Sequence, residues 1–127
     1  MEFKSKYKFY YKILRKIVLQ MIYHVEINPC VFDDIESIVS LRLPHPYGII
    51  IHSKCKIGKG VTIFQFVTIG VVEKLGTSYP VISDYVYIGT GAVILGNCVI
   101  GENAKIGANS TILTAVPPNI TATGIFK

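Results

Sequence analysis

Isoleucine recurs at every sixth residue along most of this chain, and that period restricts the fold more than any other feature. From Ile51, steps of six land on Ile57, Ile63 and Ile69. The phase breaks once, across "VVEKLGTSYPV", and resumes at Ile82, Ile88, Ile94, Ile100, Ile106 and Ile112. A second slot, two residues before the isoleucines, holds Cys55, Val61, Val67, Val86, Ala92, Cys98, Ala104 and Ser110, all small or β-branched. Residues i and i−2 share one face of a strand, so each unit reads as a short strand with both residues inward, followed by a turn. An α-helix repeats every 3.6 residues and cannot keep a period of six on one face. Three such units close a triangular coil, and successive coils stack like residue over like. The isoleucines fill the inside and the small slots keep it from being overpacked. Glycine follows the isoleucine at Gly58, Gly70, Gly89, Gly101 and Gly107, where the pattern predicts a tight or unusual backbone conformation.

The 127 residues suit one domain with a single core, and a chain half hydrophobic and only 17% charged is not disordered. The net charge of +5 is confined to the N-terminus, where Lys4, Lys6, Lys8, Lys12, Arg15 and Lys16 stand against Glu2. The rest of the chain is balanced, and no nucleic-acid-binding motif accompanies the basic arm, so nucleic acid is not an expected partner. Cys30, Cys55 and Cys98 show no C-x-x-C spacing, which supports neither a zinc site nor a disulfide framework. Cys55 and Cys98 read as packing residues in the small slots.

Residues 1–44 read as an N-terminal helical arm and lead-in segment, and 45–127 as the repeat domain with a C-terminal cap. The arm carries Tyr7, Tyr10, Tyr11, Leu14, Ile17, Val18, Met21 and Ile22 on a broad helical stripe. Two readings of it stand: a solvated basic face with a docking stripe, or an amphipathic helix making peripheral contact with an anionic membrane. Its apolar run "IVLQMIYHV" is too short to span a bilayer and no secretory signal is evident, so a cytoplasmic protein is expected. At the other end "TAVPPNITATGIFK" leaves the repeat, and Pro117-Pro118 is expected to end regular strand pairing. The ten isoleucine units make just over three coils, a short solenoid whose exposed ends and sides favour assembly.

The [LIV]-G-x-x-[small]-x pattern resembles the hexapeptide-repeat acyltransferases. That resemblance implies a mainly β protein, a left-handed parallel β-helix, and a homotrimer. Left-handedness would be an exception to the usual hand of parallel crossovers. "LPHPYGIIIHSKCKIGKGVTIFQFVTIG", "YIGTGAVILGNCVIGENAKIGANSTIL" and "AVPPNITATG" look most like the serine acetyltransferase branch. Carried over residue by residue, His45 is the general base that takes the proton of an acceptor hydroxyl as it attacks the thioester of acetyl-CoA. The carboxylate that orients such a base matches Glu26, in "EINP" where the family has "DIHP". The stretch from Glu26 to His45 is four residues longer than in the family, so Asp33 or Asp34 is an alternative. Gln65, in "FQFVTIG", also matches the branch. Gly89, Thr90, Gly107 and Ala108 match positions that contact acetyl-CoA between neighbouring subunits.

Three departures bear on the acceptor. Where the family has "DRHP", whose Arg and His help hold the amino acid, this chain reads "TSYP", with Ser78 and Tyr79 in place of the pair. Pro44 replaces the Asp before the catalytic histidine, and one arm stands where the family has a large helical domain. With no arginine to grip a carboxylate bidentately, the expected acceptor is a sugar hydroxyl of a surface polysaccharide precursor, with Tyr79 and Gln65 contacting it. The alternatives are a serine O-acetyltransferase and a non-catalytic solenoid scaffold. Against the catalytic reading of His45 stands a simple turn residue between Pro44 and Pro46. His52 reads as an outward-facing residue after a core isoleucine. Outside the arm the only histidines are His45 and His52, so the three-histidine zinc site of the carbonic anhydrases on this solenoid is not expected.

Overall fold

The computed structural model describes Leu14, residues 23–73 and residues 78–127. The arm residues other than Leu14, and the tip of the loop at 74–77, lie outside the described residues. Leu14 is exposed.

The period of six folds as the side chains require. Branched Ile and Val favour extended backbone, and each unit contributes a strand of two or three residues. The strands are β1 (Glu26–Ile27), β2 (Ile50–Ile51), β3 (Lys56–Ile57), β4 (Thr62–Ile63), β5 (Thr68–Gly70), β6 (Val81–Ile82) and β7 (Tyr87–Ile88). After them come β8 (Val93–Leu95), β9 (Val99–Ile100), β10 (Lys105–Ile106), β11 (Thr111–Ile112), β12 (Thr121–Ala122) and β13 (Ile125–Phe126). They form three parallel sheets, ordered β1-β2-β5-β8-β11-β13, β3-β6-β9 and β12-β10-β7-β4, and the chain visits the three faces in turn. The register puts isoleucine over isoleucine: Ile27, Ile51, Ile69, Ile94 and Ile112 on the first face, Ile57, Ile82 and Ile100 on the second, Ile63, Ile88 and Ile106 on the third. All ten isoleucines of the repeat are buried, and so are all eight small-slot residues.

The stack runs past the repeat at both ends. Before it, β1 pairs with β2, Phe32 bridges to Ile57 and Arg42 to Thr62, so residues 26–42 form a coil although the period is not visible there. After it, Val116 bridges to Ile100, β12 pairs with β10 and β13 with β11. Pro117 and Pro118 therefore do not end the pairing. They occupy a corner, where no ladder hydrogen bond is required of them, and the strand resumes at Thr121. Five turns result, where the isoleucine count alone predicts just over three.

The glycines after the isoleucines also serve a different purpose from the one expected. Positive φ falls further into the corners, at Gly48, Gly60, Phe66, Tyr85, Gly91, Asn103, Asn109 and Asn119, and not at Gly58, Gly70, Gly89, Gly101 or Gly107. Most of the latter are needed for close stacking. A Cβ on Gly89 would stand 2.8 Å from the backbone nitrogen of Ala108, and one on Gly101 would collide with the Pro117-Pro118 backbone.

Candidate active site

Each coil has three corners, and most of the candidate residues lie on one of them. The corner leading into the first face carries His45 in the upper coil, Gln65 in the next, Gly89 and Thr90 below it, then Gly107 and Ala108. Backbone hydrogen bonds hold these corners in step: Phe66 N–H donates to Tyr47 O, Gly91 N–H to Gln65 O and Asn109 N–H to Thr90 O, at 2.9, 2.9 and 2.7 Å. The Thr90 hydroxyl reaches Gln65 Oε1 at 3.3 Å. Six of the eight candidate residues thus share one edge of the prism. The reason is topological: a corner recurs once per coil, so distant stretches are brought into line.

His45 is exposed at the head of this edge. Its ring lies 6.2 Å from that of Phe64, which is itself 5.1 Å from Tyr87. Its carbonyl accepts the Tyr47 N–H at 2.8 Å, a tight turn suited to the prolines on either side. Gly89 is buried and Gly107 half-buried, and a Cβ on Gly107 would meet Thr123 at 2.8 Å. Glycine at both positions is thus required by coil stacking. Thr90 and Ala108 are the accessible members of the edge.

Glu26 lies on the first face itself, in β1, and Tyr79 at the corner that follows that face. Glu26 is exposed on β1, directly above Ile50, and lines a groove of about 460 Å³ with Asn28, His52, Ser53, Thr68 and Gly70. No hydrogen bond joins it to His45. Asp33 and Asp34 are engaged elsewhere: Asp33 pairs with Lys56 Nζ at 2.7 Å, and Asp34 caps the short helix α1 (Ile35–Ser40) by accepting the Ser37 N–H at 2.7 Å. That cap holds the Asp34 carboxyl below its ordinary range. The segment between β1 and His45 includes α1, which bulges from a different corner and is tied down by Ser40 Oγ to the Gly60 N–H and by Glu36 to Lys59.

One cluster escapes sequence reasoning. The His52 ring stacks on Tyr79 at 5.0 Å with 22° between planes, Lys54 Nζ stands 5.3 Å from the Tyr79 centroid, and the Lys54 N–H donates to His52 Nδ1 at 3.2 Å. The alternation of "HSK" puts His52 and Lys54 on one side of the chain, but their meeting with Tyr79 depends on how the long loop closes.

Fold and repeat together define a hexapeptide-repeat left-handed β-helix. Residues 79–114 match the family model "Bacterial transferase hexapeptide (six repeats)". Within that class the chain is similar to the serine acetyltransferases. That of Staphylococcus xylosus is 45% identical over 86 residues, which cover 67% of this chain and 40% of the relative. Soybean serine acetyltransferase complexed with serine superposes with a TM-score of 0.63 at 45% identity, over 66% of this chain and 35% of that one. A serine acetyltransferase in complex with CoA gives 0.61 at 40% identity, over 66% and 34%. The chain spans about 40% of the length of the curated relatives it matches.

Proposed function

We propose that this protein is an acetyl-CoA-dependent O-acetyltransferase whose acceptor is L-serine or a closely similar hydroxy amino acid. The observation that carries the reading is the alignment of His45, Gln65, Thr90 and Ala108 along one open edge, in a chain similar to enzymes solved with CoA and with serine. In the proposed reaction His45 removes the acceptor's hydroxyl proton as the oxygen attacks the thioester carbonyl. The tetrahedral intermediate collapses to the ester, and the CoA sulfur leaves and takes up a proton. Thr90 and Ala108 border the donor's path along the edge, and Gln65 fixes Thr90. Glu26 opens on the groove without touching His45, which fits contact with the acceptor better than orientation of the imidazole.

The relatives favour serine over the saccharide hydroxyl expected from Ser78 and Tyr79. Assembly as a trimer is part of the proposal, supported by apolar side chains exposed on the flat faces, among them Val81, Tyr87 and Val99. Among the described residues no helix is long and apolar enough to cross a membrane.

The test is release of free thiol from acetyl-CoA by the purified protein, with L-serine and with a panel of sugars. Release that requires L-serine and falls by about 10²–10⁴-fold in His45→Ala is the expected result. Release with a sugar alone would restore the saccharide acceptor. No release and no CoA binding would leave a scaffold.

A further inference from the structure

His45 lacks the carboxylate that usually orients a histidine base. Glu26 opens on its own groove, Asp33 pairs with Lys56 and Asp34 caps α1, so among the described residues no acidic side chain is hydrogen-bonded to the imidazole. The ring has a different neighbour. Phe64 follows the inward-facing Ile63 of β4 and so turns outward, where it is half-buried. Its ring centroid lies 6.2 Å from that of His45, with 52° between planes, inside the range of tilted aromatic pairs. Tyr87, on β7, stands behind Phe64 at 5.1 Å and 51°. Three rings thus form a row from the corner at His45 onto the third face.

The backbone fixes this row. Phe64 N–H donates to Ile88 O at 3.0 Å, and the ladder sets Thr62 against Tyr87. On the other side of Phe64, Phe66 N–H donates to Tyr47 O at 2.9 Å, and Tyr47 N–H to His45 O at 2.8 Å. The turn that carries His45 is therefore bonded to the corner that carries Phe64.

We propose that Phe64, backed by Tyr87, is the positioning residue of His45, its ring holding the imidazole where it meets the acceptor's hydroxyl. The inference rests on the reading of His45 as the base and deepens it. A general base has to lie within about 3 Å of the atom whose proton it takes, and a displacement of about 1 Å can cost 10²-fold in rate. A ring packed against one face of the imidazole restricts its side-chain torsions without placing a charge beside it.

The experiment reads the His45 ring protons by NMR, assigned among the three histidines with His45→Gln, together with steady-state acetyl transfer. In the wild type, the Phe64 ring current should displace those signals from the positions of free histidine. Phe64→Leu keeps apolar bulk and should abolish the displacement, while Phe64→Tyr keeps it. In Phe64→Leu kcat should fall by about 10–10²-fold with KM for acetyl-CoA unchanged, and Phe64→Tyr should restore it. His45 signals that do not move in Phe64→Leu overturn the proposal, and so does an unchanged kcat when they do move. If Phe64→Leu fails to fold, Tyr87→Leu decides, because Tyr87 is 41% exposed and its loss should shift the same signals less and in the same direction. No shift there overturns the proposal too. A wild type without acetyl transfer, whose His45 displacement is nevertheless lost in Phe64→Leu, would remove the base and keep the positioned ring.

Discussion

Phe66 and Tyr85 hold φ of +59° and +58°, a region that bulky side chains seldom enter. Each ring covers a glycine of the preceding coil: a Cβ on Gly48 would stand 2.6 Å from Phe66 Cδ1, and one on Gly60 2.5 Å from Tyr85 Cδ1. The strain of the left-handed turn is offset by packing that only glycine opposite permits. The thiols behave as interior residues. Burial pushes Cys55 up to about 11 and raises Cys98 as well, while Cys30 is exposed. In the native protein at pH 8, alkylation followed by mass spectrometry should label Cys30 alone, with Cys55 and Cys98 reacting only after unfolding. The unfolded chain ionises these thiols from about pH 8.5, whereas the folded chain keeps Cys55 protonated to about 11. Their contribution to stability is therefore complete below pH ~8.5 and is lost as pH rises toward 11, which melting curves across that range would register. Ser110 fills a small slot with a hydroxyl that has no protein partner. Ser110→Ala should stabilise the fold by about 1 kcal/mol in denaturant titration, because it removes a desolvated polar group.

At the scale of the strand and the corner, stability comes from columns. Ile88 lies between Ile63 and Ile106 in register and is fully buried. Ile88→Ala should cost about 2–5 kcal/mol in chemical denaturation, against little for Ile125→Ala at 72% exposure. The corners make the matching test for glycine. Gly89→Ala forces a methyl against the Ala108 backbone and should cost about 1–3 kcal/mol, or more if the coils cannot part. Gly124, with φ of +68° and open space around it, should cost only about 1–2 kcal/mol on the same change. The isoleucine columns are legible in the sequence because stacking repeats one local rule. The coil at 26–42 is not legible, since it keeps the pairing with Phe32 and Arg42 at strand positions and loses the period. Pro117-Pro118 misleads for a related reason: a proline blocks pairing only where its N–H would have been in the ladder.

For the whole molecule, three flat faces with Val81, Tyr87, Val99 and Ile50 exposed leave apolar surface that a second and third copy would cover. Sedimentation equilibrium should return three times the chain mass of 14.1 kDa, and a Val81→Lys change on β6, the central strand of one face, should shift it toward the monomer. The sequence by itself determined the prism, because a six-residue period can be satisfied only by short strands stacked like over like. It also determined that Gly89 and Gly107, and Thr90 and Ala108, share a corner, since each pair is 18 residues apart, one whole coil of three six-residue units; His45 and Gln65 join that edge only through the folded irregular segments. Tertiary structure alone decided the rest. Glu26 opens on a groove away from His45, Asp33 and Asp34 are drawn to Lys56 and to the cap of α1, and His52 meets Tyr79. Each of these depends on how an irregular segment closes between coils, and loop closure is set by packing against what is already built, not by the repeat.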